Sequence, residues 1–176
     1  MNQYINLAKF SISHYLKTGE VPEIPRDLPD EIIARRAGVF VCFKRNGELR
    51  GCIGTFTPVY ENIAQEIIQN TISAATQDPR FLPVSLSELD EITVAIDILS
   101  EPEKLEDEEI NKLNPKKFGI LVKSEDGLRS GLLLPNLEGV NTIEKQVSIA
   151  CQKAGIDHYA ENFCLYKFTV ERYEEK

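Results

Sequence analysis

One dipeptide constrains this chain more than any other: Asn46-Gly47, set between two β-rich runs in GVFVCFKRNGELRGCIGTF, residues 38–56. Asn-Gly supplies the two positive φ angles of a type I′ turn, so the stretch predicts a hairpin. With a two-residue loop, Arg45 faces Glu48, Val41 pairs with Cys52 and Cys42 with Gly51. Side chains alternate across a strand. Arg50 and Cys52 then share a face with Val41 and Phe43, while Cys42 points to the other face with Leu49 and Ile53. In this register the two cysteines lie on opposite sides of the sheet and cannot bond to each other.

The rest of the chain alternates between helical and extended periodicity. A helix is predicted over 4–17, with Ile5, Ala8, Ile12, Tyr15 and Leu16 as its apolar stripe and Gly19 as its stop. A proline-rich connector, VPEIPRDLPD, leads to a short helical piece over 31–36. After Pro58, Tyr60, Ile63, Ala64, Ile67, Ile68, Thr71, Ile72 and Ala75 mark a long amphipathic helix. Ser85 stands three residues before Glu88, as in a capped turn. A strand follows, with Ile92, Val94, Ile96 and Ile98 on one face. Residues 118–135 read as a second hairpin turning at Ser124 to Gly127. A last helix runs over 142–154, its stripe Ile143, Val147, Ala150, Cys151 and Ala154, and Gly155 ends it. NFCLYKFTVERY closes the chain as one strand. Helices interspersed with hairpins predict a single α+β domain over 1–176, with a largely antiparallel sheet and packed helices. The strict βα alternation and glycine-rich first turn of a doubly wound nucleotide fold are absent.

Several function classes fall away. The formal net charge of −8 disfavours a phosphate backbone as partner. Lys44, Arg45 and Arg50 cluster, as do Lys116 and Lys117, but solvated turn residues account for both groups. No window approaches the roughly 18 unbroken apolar residues of a membrane helix. The opening residues lack the basic and apolar regions of a signal peptide, so a cytoplasmic protein is expected. In a reducing cytosol no disulfide is expected among Cys42, Cys52, Cys151 and Cys164. Their spacing offers no CxxC pair and no nearby histidine, so no metal site is assigned. The acidic run 101–109 reads as a solvated linker or exposed helix start.

Chemistry concentrates in LRGC. A guanidinium two residues from a thiol favours the thiolate, which makes Cys52 the candidate catalytic nucleophile or redox thiol and Arg50 its electrostatic partner. Gly51 and Gly54 remove side chains, so a ligand or another backbone can come close. The bland alternative is equally concrete. Free cysteine is often a small buried hydrophobe, strand glycines mark bulges or tight packing, and Arg50 can cap a carboxylate. A cysteine nucleophile usually has a histidine base, and neither His14 nor His158 is tied by sequence to Cys52. In Asp78-Pro79-Arg80-Phe81, Arg80 can hold an anion and Asp78 can orient Arg80 or Arg50. The same four residues also make an ordinary turn. Cys151 and Cys164 fall on apolar stripes and are assigned to the core. Ser130 lacks a nucleophile-elbow pattern.

LRGCIGTF followed by a helix and DPRF resembles the signature of the AMMECR domain family, whose bacterial and archaeal members belong to AmmeMemoRadiSam systems. The resemblance extends over 38–56, over AATQDPRFLPVSLSELDEI at 74–92, over RSGLLLP at 129–135 and over CQKAGI at 151–156. It implies an α+β fold with a larger and a smaller lobe and a cleft between them. It implies, as partners, a Memo-like protein and a radical SAM protein. It brings a motif rather than a reaction: Arg50, Gly51, Cys52, Ile53 and Gly54, with Asp78 and Arg80. No cofactor follows from it. Family members commonly carry a Gly-Trp pair after the LP turn; here the segment is NLEGVNTIEKQ and the chain has no Trp. Two readings result. In one the chain is a binding or adaptor component that presents the LRGCIGTF surface to those partners. In the other it is an enzyme or enzyme component using a cleft around Arg50, Cys52 and the DPRF loop.

Overall fold

The computed structural model describes residues 2–110 and 112–175. The chain divides into two compact units, Met1–Ile98 with Glu171–Lys176, and Leu99–Val170. The fold is α+β, with a four-stranded sheet in each unit. Among the described residues no helix is long and apolar enough to cross a membrane.

The first unit opens with α1 (Gln3–Thr18). The Asn2 side chain caps it by accepting from the Tyr4 amide at 2.9 Å. Gly19, at φ +78°, ends it in the left-handed conformation, its N–H bonded back to the Tyr15 carbonyl. After α2 (Asp30–Ala34) come β1 (Val39–Arg45) and β2 (Glu48–Gly54). Asn46 and Gly47 have φ of 54° and 82°, the turn the dipeptide demands. Asn62 caps α3 (Ile63–Thr76), accepting from the Gln65 amide. A 3-10 turn, Leu86–Glu91, feeds β3 (Ile92–Leu99). With the last strand, β8 (Val170–Glu174), these make a sheet of order β2-β1-β3-β8.

Val39, Val41 and Phe43 of β1 and Ile92, Val94, Ile96 and Ile98 of β3 point to one face and are buried. They join Ile5, Ala8 and Ile12 of α1 and Ile63, Ile67 and Ile68 of α3 in one core. Each such side chain contributes roughly 2 kcal/mol by leaving water.

The second unit holds β4 (Glu103–Lys104), α4 (Asp107–Ile110), β5 (Gly119–Ser124), β6 (Ser130–Leu133), α5 (Ile143–Ala154) and β7 (Phe163–Phe168). Its sheet order is β4-β7-β5-β6. Ile120, Val122 and Leu133 meet Ile143, Val147, Ala150 and Cys151 of α5 in a second core.

Four expectations are corrected. The closing segment is not one strand. β7 belongs to the second sheet and β8 to the first, because alternation runs through Thr169 while pairing partners change there. Cys164 is half exposed, paired with Lys123 in the ladder, whereas Cys151 is fully buried. The hairpin register also shifts. Arg45 faces Glu48 as expected, but Lys44 pairs with Leu49 and Phe43 with Gly51. Arg50 is the extra residue of a β-bulge, so Cys42 faces Cys52 and Val41 faces Ile53. Cys52 therefore shares the outer face with Cys42, opposite Val41 and Phe43. Finally, the two sulfurs are joined in a disulfide. Both the expected reducing compartment and the assumed register argue against that bond.

Candidate site on the edge strand

β2 is an edge strand, and β1 cannot satisfy the main-chain groups on its outer side. The end of α3 supplies what is missing. The Ala74 carbonyl lies so close to Gly51 that a Cβ there would sit 2.3 Å from its oxygen. The glycine thus admits a helix backbone. Gly54 admits an aromatic ring, since a Cβ there would meet Phe40 at 2.3 Å.

Four residues past Ala74, Asp78 leaves the helix with its side chain 2% exposed. Its Oδ2 accepts from the Cys52 amide at 2.9 Å. The Arg80 guanidinium donates to both carboxylate oxygens, from Nε at 2.9 Å and Nη2 at 2.7 Å. Nη2 also reaches the Cys52 carbonyl at 3.3 Å. Asp78 and Arg80 together bond the main chain of Cys52 as a neighbouring strand would. The Arg80 guanidinium, with the Cys52 and Arg80 amides, holds the Asp78 carboxyl well below the usual carboxylate range.

Arg50, thrown out of the ladder by the bulge, turns to the loop beyond. Its Nε and Nη2 donate to Oε1 and Oε2 of Glu88 at 2.8 and 3.2 Å, and Nη1 donates to the Leu82 carbonyl at 2.9 Å. Such a forked pair fixes geometry as well as charge. Glu88 also accepts from the Ser85 amide at 2.8 Å, closing the capped turn. Phe81 lies near both guanidinium groups, 5.9 Å from Arg50 and 5.5 Å from Arg80. Arg45 bonds Glu91 and Glu88, so Arg45, Arg50 and Arg80 are all paired within the fold.

The Arg50 guanidinium, with the Ser85 amide, brings the Glu88 carboxyl from its ordinary 4.5 down to about 2. A depressed carboxyl adds stability above its unfolded value and loses it as protonation sets in. Stability is therefore expected to fall by about 3 kcal/mol from this group as pH drops from 4.5 toward 2. Acid-unfolding curves of the native chain and Glu88→Gln test it: the variant is less stable at neutral pH and loses that share of the slope.

Sequence reasoning placed Arg50, Gly51, Cys52, Gly54, Asp78 and Arg80 in one neighbourhood, and the fold brings Arg80 and Asp78 onto Cys52 itself. It puts Arg50 on the adjoining loop instead. Three contributors are not assigned to the site by the sequence. Cys42 was hidden by the bulge, although a strand glycine was its signal. Glu88 was read only as a cap. Glu66, fully buried on α3, accepts from the Thr55 hydroxyl at 2.6 Å, the Tyr60 amide at 2.8 Å and the Val59 amide, anchoring the loop after the motif.

Fold and site together define an α+β protein whose edge strand is clamped by the segment following its packed helix. The chain belongs to the AMMECR1 family, whose model matches residues 5–176. It is 51% identical over 172 residues to a protein of Thermotoga maritima, covering 97% of each chain. It is 49% identical over 173 residues to a protein of Clostridium acetobutylicum, covering 98% of this chain and 36% of that one. The crystal structure of the uncharacterized protein PH0010 from Pyrococcus horikoshii has the same fold, with a TM-score of 0.87 at 37% identity, over 98% of this chain and 90% of that one.

Proposed function

We propose that the chain is a binding or adaptor component, and that its recognition surface is the LRGCIGTF edge strand with the adjoining 78–88 loop. One observation supports this above others. The polar groups of the motif are engaged with one another, Arg50 with Glu88 and Arg80 with Asp78 and the Cys52 main chain. Beside them stand apolar side chains open to water: Leu49 at 43%, Leu82 at 84% and Leu86 at 48% exposed. A rigid polar frame carrying exposed leucines suits the capture of a protein surface. In this reading the partners are the Memo-like and radical SAM proteins that the family resemblance implies, and the setting is the cytoplasm. The enzyme alternative, with Arg50, Cys52 and the DPRF loop as its centre, finds support in one feature, the half-buried position of Cys52 on the outer strand beside Cys42.

Titration calorimetry of the chain against each purified partner tests the adaptor reading. A complex with at least one is expected. Leu82→Glu, which changes an exposed side chain, should weaken it at least tenfold, about 1.4 kcal/mol, while leaving the melting temperature unchanged. No heat with either partner would end this reading.

A further inference from the structure

We propose that Cys42 and Cys52 form a reversible thiol–disulfide couple that exchanges with low-molecular-weight disulfides, Cys52 attacking and Cys42 resolving. This goes beyond partner binding and does not depend on it.

The backbone places the two residues for it. The bulge at Arg50 sets them directly opposite, with Cα atoms 4.1 Å apart. The Cys52 N–H and C=O are bonded to Asp78 and Arg80, not to β1. The two residues are thus a non-hydrogen-bonded pair, the kind that brings facing side chains closest in an antiparallel ladder. Gly51 against the Ala74 carbonyl and the Asp78–Arg80 clamp hold β2 in this register whether or not the sulfurs are joined. Two thiols held so face each other at high effective concentration, which favours ring closure over a lasting mixed disulfide.

Access separates the roles. Both residues are half exposed, but β2 is the outer strand while β1 lies between β2 and β3. An incoming disulfide therefore meets Cys52 first. The remaining cysteines are placed differently. Cys151 is fully buried, and burial pushes its thiol up; Cys164 faces Lys123 across its ladder.

The chemistry balances. The Cys52 thiolate attacks one sulfur of the oxidant; a mixed disulfide forms and one small thiolate leaves. The Cys42 thiolate then attacks the Cys52 sulfur; the Cys42–Cys52 bond forms and the second small thiolate leaves. The chain gives up two protons and two electrons, and the oxidant becomes two thiols. Excess thiol runs both steps backwards.

The test equilibrates the reduced full chain, without air, in glutathione buffers of stepped redox ratio, followed by alkylation and peptide mass mapping. A single two-electron transition is expected, with a loss of about 2 Da confined to the Cys42 and Cys52 peptides. Cys151 and Cys164 stay alkylatable once the chain is unfolded. Under glutathione disulfide, Cys42→Ser should gain about 305 Da at Cys52 at least tenfold faster than Cys52→Ser gains it at Cys42. Early quenching of the unaltered chain reads the same assignment, through a transient adduct on Cys52, should either variant fail to fold. Two thiols that both stay alkylatable in excess glutathione disulfide would overturn the couple. Equal adduct rates, or a transient adduct on Cys42, would overturn the roles.

Discussion

Gly51→Ala lowers the stability of the chain by about 3 kcal/mol, and Gly51→Val prevents folding. The reason is the approach of α3. A Cβ at this position would lie 2.3 Å from the Ala74 oxygen, and that atom is helix backbone, which cannot turn aside as a side chain can. Relief requires the carboxyl end of α3 to lift from β2, and Asp78 would lift with it. Gly127→Ala is the control. That glycine has φ of +71° and its added Cβ meets nothing within 4 Å, so left-handed strain alone acts, about 1 kcal/mol. Urea unfolding measures both, as midpoint shifts at constant slope. Equal costs at the two positions would refute the crowding argument.

Asp78→Ala costs about as much, near 3 kcal/mol, through a different route. The carboxylate is 2% exposed, accepts from the Cys52 and Arg80 amides and binds the Arg80 guanidinium. Its removal strands an amide on an edge strand and frees the arginine. Asp78→Asn keeps the shape and one acceptor but turns an N–H toward a donor, so an intermediate loss is expected. Hydrogen exchange at the Cys52 amide gives the local readout. Its protection should collapse in Asp78→Ala while amides in the middle of α1 remain protected.

The elements that were legible from sequence are those whose signals are local. Asn46-Gly47, Gly19, Gly155 and the Ser85–Glu88 spacing each act within a few residues, and each stands where it was read. What misled was a count. A single extra residue, Arg50, moves every later side chain of β2 to the other face, which separated Cys52 from Cys42 on paper and joins them in the fold. The closing segment failed for a related reason. Alternation persists across Thr169 without a turn residue, so nothing in the pattern marks the change of sheet. In the site, Asp78 and Arg80 were readable because they are two residues apart, whereas Glu88 lies 38 residues from Arg50 and only the fold unites them.

The late return of the chain to its first sheet has a consequence for synthesis. β3 and β8 are neighbours in that sheet, yet residues 100–169 are made between them. Asp97 holds Arg172 through paired bonds of 2.7 and 2.8 Å across 75 residues, and Lys9 reaches Glu175 at 2.7 Å across 166. On a ribosome the second unit is therefore complete in sequence while the first still exposes one edge of β3 and Lys9 of α1. That edge is unprotected until the last strand leaves the exit tunnel. A chain cut short by ten residues would keep its motif, its Cys42–Cys52 pair and most of its core, and would still present an open strand to its neighbours.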